Sequence, residues 1–334
     1  MNTPNKPEIL STSVRLSTPE AVATRYGAIA SAGYVEHFAD GGVMSCTPAA
    51  ETLLETPYGP LIPQFTTDDL RRRTVQAVSF HPTGALRALP LERPTVINTP
   101  AGPLKVELAT FHPDGSLCRA FPLNGKLSGY WTQDDEGRLA EPVRFATPLG
   151  MLEKRIICLY FDPAGNLLSL TLWPGDTLSV PTPLGPLTAR VGVAFRQDGG
   201  LRSLEPAKPQ PVQTPAGRIQ AYDLDAVGIS GDRNSLAFWP DGSVKRVSTN
   251  LSRVVARSAD GRTQTFSPEL RDSLCGDGDH EIVPMQLEFD AEATRIRNRP
   301  TQAWTVLPRT TWALNAEPFV AQFATPFGRM SCSC

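Results

Sequence analysis

Phe111-His112-Pro113-Asp114-Gly115-Ser116-Leu117 reads as strand, turn, strand. Proline presets φ for the first central turn position, Asp closes a local hydrogen bond, and Gly takes the φ > 0 position that L-residues avoid. Apolar residues on either side make this a hairpin with a three- to four-residue loop carrying a glycine bulge. Related phrases stand at Phe38-Ala39-Asp40-Gly41, Phe80-His81-Pro82-Thr83-Gly84, Phe161-Asp162-Pro163-Ala164-Gly165, Phe195-Arg196-Gln197-Asp198-Gly199 and Phe238-Trp239-Pro240-Asp241-Gly242. Aligned on Phe38, Phe80 and the aromatics that follow, the copies lie 31 to 50 residues apart.

A second phrase, Thr-Pro-x-Gly, alternates with the first. It occurs at Thr56-Pro57-Tyr58-Gly59, Thr99-Pro100-Ala101-Gly102, Thr147-Pro148-Leu149-Gly150, Thr182-Pro183-Leu184-Gly185, Thr214-Pro215-Ala216-Gly217 and Thr325-Pro326-Phe327-Gly328. Thr24-Arg25-Tyr26-Gly27 is a degenerate first copy, read as strand and turn in preference to a helix starting at Thr18-Pro19-Glu20. Pro-x-Gly marks a reverse turn, and Thr tolerates the extended backbone imposed before proline. Each unit thus has two hairpin turns, expected on opposite edges. Such a unit cannot hide both faces, so neighbours must stack. The expected fold is all-β: an elongated single-sheet β-solenoid of about six hairpin repeats. Residues 1–33 form an N-terminal segment with a half-repeat, 34–256 the array, and 257–334 an irregular C-terminal cap. Within that cap one weak turn, Asp260-Gly261-Arg262, and one strand, Met285 to Phe289, are legible.

Composition agrees with this. The 334 residues include 32 prolines, about twice the usual share of about 5%. An interior helical proline costs about 3 kcal/mol, which excludes a mostly helical protein. The net charge of −2 argues against a nucleic-acid-coating surface. Met1 to Leu10 has no apolar h-region, and the longest apolar run, Ile156 to Phe161, is far shorter than the ~20 residues that span a bilayer. A cytoplasmic protein with reduced cysteines is expected.

Within the third unit, Asn124-Gly125-Lys126-Leu127-Ser128-Gly129-Tyr130-Trp131 resembles the Asn-Gly-Lys-x-x-Gly-x-Trp core of the membrane occupation and recognition nexus (MORN) repeat, especially its variant form in bacterial proteins. The resemblance covers residues 34 to 250. Most units lack the second glycine and second aromatic, insert the Thr-Pro-x-Gly turn, and lose the family's short period. It implies a hairpin solenoid. It implies no single activity, because such arrays serve as lipid-associated scaffolds, dimerisation modules and binding surfaces alike.

The third unit is also the longest. From aromatic to Thr-Pro is 18 to 21 residues in units one, two, four and five and 36 in unit three. Solenoid insertions map to loops on one face, often the binding face. The candidate ligand- or partner-binding residues are therefore Lys126, Tyr130, Trp131, Asp134, Asp135 and Glu136. The competing reading is one more hairpin with its aromatics on the sheet and its carboxylates solvated. Cys332 and Cys334 could ligate a soft metal, zinc or copper, with Cys46 or Cys275 adding ligands, or could form a plain tail. Asp277, Asp279 and Glu281 beside His280 suggest a hard cation or a solvated turn. His81 and His112 recur at one repeat position, which argues for a structural role. Arg71-Arg72-Arg73 reads as a solvated edge, and Gly228 to Arg233, with Ser230, as a plain loop.

The function these residues point to is a non-catalytic binding or scaffold protein using the repeat surface and the unit-three loop. The alternative is an enzyme or metallochaperone using the cysteine tail. Removing residues 126–137 is expected to abolish binding and leave the fold intact.

Overall fold

A computed structural model describes residues 21–224, 226, 231, 234–272, 280–299 and 302–321. It is nearly all β, with antiparallel sheets. The one α-helix among the described residues, Gln133–Gly137, has five residues.

The aromatic phrase forms the expected turn. Strands Gly102–Phe111 and Leu117–Phe121 pair antiparallel with a register shift between Thr110 and Phe111. His112 N–H donates to Ser116 O at 2.8 Å and Gly115 N–H to His112 O at 2.9 Å. Asp114 Oδ1 accepts from Ser116 N–H at 2.9 Å and from its hydroxyl at 2.6 Å. Gly115 sits at φ 89°. This is a three-residue loop ending in a glycine bulge. The same two backbone bonds recur at Phe38/Gly42, His81/Ala85, Asp162/Asn166, Arg196/Gly200, Trp239/Ser243 and Ser258/Arg262. In the first copy the bonding shifts the alignment by one residue. Phe38 takes the place of His81 and His112, and His37, paired with Val43, takes that of Phe80.

The Thr-Pro turns close by a device the sequence reading did not foresee. In all six described copies the threonine hydroxyl donates to the carbonyl of the glycine three residues on, at 2.6 to 2.8 Å. It also accepts the N–H two residues on, at 3.1 Å. Thr24 does this without a proline after it, so the degenerate copy is a true one. Thr99→Val keeps the shape, removes the hydroxyl and leaves the buried Ala101 N–H unpaired. It should cost about 1–3 kcal/mol, read as a shift in denaturant midpoint, while Thr99→Ser should recover most of the loss.

The chain divides into two compact units: Met1–Asp176 with Phe195–Gly200, and Thr177–Ala194 with Leu201–Cys334. In the first, Gly27–His37, Val43–Pro48, Val78–Phe80, Leu86–Thr99, Gly102–Phe111, Leu117–Phe121, Ile156–Phe161 and Leu167–Leu172 pair in sequence order. One inward row runs across them: Leu89, Ala109, Ala120, Leu159 and Leu170, each fully buried. In the second, Leu204, Leu236, Val247, Leu287 and Ile296 make the equivalent row. A β-strand alternates its side chains, so registering one buried position across successive hairpins builds the core as a stripe.

Three expectations are corrected. The array is not a single sheet: Leu54–Thr56 with Gly59–Leu61, Val143–Thr147 with Gly150–Lys154, and Gln210–Thr214 with Gly217–Ala221 each form their own two-stranded sheet. The two kinds of turn do not occupy opposite edges. Tyr58 packs on Phe111, with ring centroids 5.5 Å apart. A Cβ on Gly165 would lie 3.3 Å from the Pro100 ring, and one on Gly242 would lie 3.2 Å from Pro183. Register breaks at Ser31/Val35 and Pro90/Thr95 interrupt the long strands between the two turn types. Bulges of this kind bend strands.

Finally, residues 257–320 are not irregular. They include Thr263–Phe266, Glu269–Asp272, His280–Val283, Met285–Phe289, Ala293–Arg297, Thr305–Pro308 and Trp312–Pro318. Phe289 continues the array. Trp239 Nε1–H donates to its carbonyl at 2.9 Å, and His81 Nε2 meets Phe111 O and His112 Nε2 meets Phe161 O at the same 2.9 Å. The residue after each of these aromatics reaches the next aromatic's backbone, which is the structural role expected of His81 and His112.

Candidate functional site

The unit-three insertion is neither a free loop nor an added hairpin. Ser128 and Trp131 close a tight turn, and Thr132 then caps the short helix. The Thr132 hydroxyl accepts Asp135 N–H, and the Asp135 carboxylate accepts Thr132 N–H at 3.0 Å, a capping box. Asp135 also pairs with Arg138 at 2.9 Å. The cap turns the next residue, Glu136, inward, where it is buried.

Glu136 is fully engaged. Its Oε2 accepts Arg71 Nε–H at 2.7 Å and Trp131 Nε1–H at 2.6 Å. Its Oε1 accepts Arg71 Nη2–H at 2.7 Å and Gly125 N–H at 2.8 Å. The other side of the Arg71 guanidinium binds Glu107 through both carboxylate oxygens, at 3.0 and 2.5 Å, and Glu107 also accepts Asn124 N–H at 2.8 Å. Burial alone would raise the Glu136 pKa, but the hydrogen bonds from Arg71 and Trp131 hold it below the usual carboxylate value. Burial would likewise lower Arg71, and its two carboxylates hold it above its ordinary value. Gly125 is needed for close approach, since a Cβ there would fall 2.1 Å from Glu136 Oε2.

The candidate residues therefore divide. Glu136, Trp131 and Asp135 build the platform: Glu136 is buried and paired, while Trp131 and Asp135 are half-buried and hydrogen-bonded within it. Lys126, Tyr130 and Asp134 are exposed. Tyr130 is 71% exposed and lies under Arg73, whose guanidinium carbon is 5.2 Å from its ring centroid. Leu70, Leu127 and Leu139 are exposed on the same two segments, which join where Lys126 N–H donates to Arg71 O at 3.0 Å. Deleting residues 126–137 would remove Glu136 and leave Arg71 with Glu107 alone, so this deletion is expected to cost stability as well as surface.

The arginine run is not a solvated edge. Arg71 is the centre of the knot, Arg72 donates to Leu91 O at 2.7 Å and Glu92 O at 2.6 Å, and Arg73 covers Tyr130. Asp68 Oδ1 gathers the N–H groups of Leu70, Arg71 and Arg72 and shapes the segment. Sequence reading missed Arg71, Glu107 and Gly125 because their partners lie up to 65 positions away. The one available signal was the glycine in Asn124-Gly125.

Cys275, Cys332 and Cys334 lie outside the described residues, as do Asp277, Asp279 and Ser230. Cys46 is buried, and burial pushes its thiol up to about 11, against thiolate ligation. Glu281 pairs with Arg271 at 2.8 Å. Among the described residues no three His, Cys, Asp or Glu side chains gather as a metal site, and no helix is long and apolar enough to cross a membrane. Comparisons with protein-family models, with curated proteins and with solved structures find no match to this chain.

Proposed function

We propose that this chain is a non-catalytic binding or scaffold protein, a MORN-like hairpin solenoid that takes a protein partner on the unit-three platform. The observation that carries the reading is Tyr130, held out to solvent over a base whose every buried charge is paired. Leu70, Leu127 and Leu139, exposed on the same two segments, supply apolar contact, and Arg73 over the ring and Lys126 supply a basic rim. Interface hot spots favour aromatic anchors on rigid supports, because little conformational freedom remains to be lost on binding. The basic rim selects a partner segment that combines apolar and acidic side chains.

The test uses the full chain as bait in native lysate, with captured proteins identified by mass spectrometry. Tyr130→Ala with Leu127→Ala touches no group of the knot, so the melting temperature should hold. Capture of the principal partner should fall at least ~10-fold, the loss expected of a central anchor. An unchanged partner set in the double variant, or no specific capture by the parent protein, would reject the proposal.

A further inference from the structure

A second polar site lies in the Leu201–Cys334 unit. Its origin shows when the repeats are compared. The fourth residue after the first strand residue of each return strand is Thr47, Pro90, Phe121, Thr171, Glu205 and Ser248 in turn. Five of these are uncharged, so the repeat itself does not call for an acid. Glu205 is nevertheless 1% exposed. Its oxygens accept Asp223 N–H at 3.2 Å and Ser235 N–H at 2.8 Å. Its ion-pair partner among the described residues, Arg190, stays 4.0 Å away, stacked on Tyr222 and donating to the carbonyls of Pro206 and Asp223. Burial pushes the Glu205 carboxyl up to about 7, against the hydrogen bonds of Ser235 and Asp223.

Glu205 lines a cavity of about 780 Å³ with Asn234, Arg246, Ser248, Gln286 and Arg297. That volume lies within the ~300–1,000 Å³ of small-molecule sites. Asn234, 4% exposed, carries an unmet acceptor. Its Nδ2 donates to Ser203 Oγ and Gly231 O, both at 2.9 Å, which fixes the amide orientation, and its Oδ1, itself almost without exposed surface, has no donor among the described residues. A buried polar atom left so costs about 1–3 kcal/mol until a donor arrives. The surrounding charges are already engaged. Arg271 pairs with Glu281, Arg299 with Glu269 and Arg246 with Glu288, while Arg297 donates to Gln286 Oε1 at 2.9 and 2.6 Å. A charged ligand would have to break such pairs. A neutral ligand with many hydroxyls would supply donors to Asn234 and Glu205 and acceptors to the guanidiniums without doing so.

We infer that this cavity binds a small, uncharged, hydroxyl-rich molecule of the sugar or polyol class, with Asn234, Glu205 and Gln286 as its recognition groups. The test titrates the full chain calorimetrically with glucose, galactose, N-acetylglucosamine and myo-inositol, and in parallel with glycine and with inorganic phosphate. At least one of the four neutral compounds should saturate at one site per chain. Glu205→Gln and the partly exposed Gln286→Ala should each weaken it at least ~10-fold, as expected when a hydrogen bond in a partly enclosed site is removed. Gln286→Ala keeps the test decisive if Glu205→Gln fails to fold. Binding of none of the four, binding that neither variant changes, or saturation by phosphate or glycine alone would overturn the inference.

Discussion

Arg71→Ala should lower the melting temperature by about 6–20 °C. The substitution leaves Glu107 and Glu136 buried side by side, with relative side-chain exposures of 4% and 6%, and no cation between them. Removing one member of a buried ionic group costs about 3–5 kcal/mol, since the remaining charge stays desolvated and unpaired. For a folded body of this size each kcal/mol shifts the midpoint by roughly 2–4 °C. The pH dependence has a definite sign. Glu136 is held below its usual value, so its contribution is present at neutral pH and is lost as pH falls through the folded-state value. Without Arg71 the opposing effect, burial, prevails, and acid lability should move toward neutrality. Thermal unfolding of the variant between acidic and neutral pH measures both, and a shift below ~2 °C at neutral pH would show that the triad holds nothing together.

Gly242→Val should be the most damaging turn substitution. Gly242 sits at φ 86°, where an L-residue costs about 1–2 kcal/mol and a β-branched one more. A Cβ there would also press on Pro183 at 3.2 Å, so the turn must shift against the Thr182 turn. A loss of roughly 2–3 kcal/mol is expected by chemical denaturation. Gly115→Val shares the dihedral penalty, with φ 89°, but meets no atom within 4 Å, and should cost less. Gly115→Asn should be milder still, because Asn tolerates the left-handed region. Equal losses for valine at the two sites would show that proline contact contributes nothing.

The contrast between these two glycines shows how far sequence could reach. Local chemistry was legible: Pro-Asp-Gly and Thr-Pro-x-Gly dictate chain reversal within five residues, and every described copy reverses there. What a turn rests on was not legible. The approach of Gly242 to Pro183 joins positions far apart in the chain, and no local signal encodes it. Glu136 illustrates the same limit. Its setting among Asp134 and Asp135 reads as a solvated acidic run, yet a capping box turns it toward an arginine 65 residues earlier. The slip of one residue at Phe38 has a simpler cause. His37 holds the strand position that Phe80, Phe111, Phe161, Phe195 and Phe238 fill in the other phrases, and only the backbone pairing shows it.

The bonds from His81, His112 and Trp239 have a consequence for how such a chain can grow. They span 30, 49 and 50 residues of sequence, yet each covers the same 2.9 Å from ring nitrogen to carbonyl oxygen. Spatial progression from one module to its successor is therefore independent of the length of polypeptide between them. Doubling an intervening excursion costs only ~0.6 kcal/mol in closure entropy. New loops can accumulate between turns while the framework stays fixed, so one architecture can acquire unrelated recognition surfaces at separate modules.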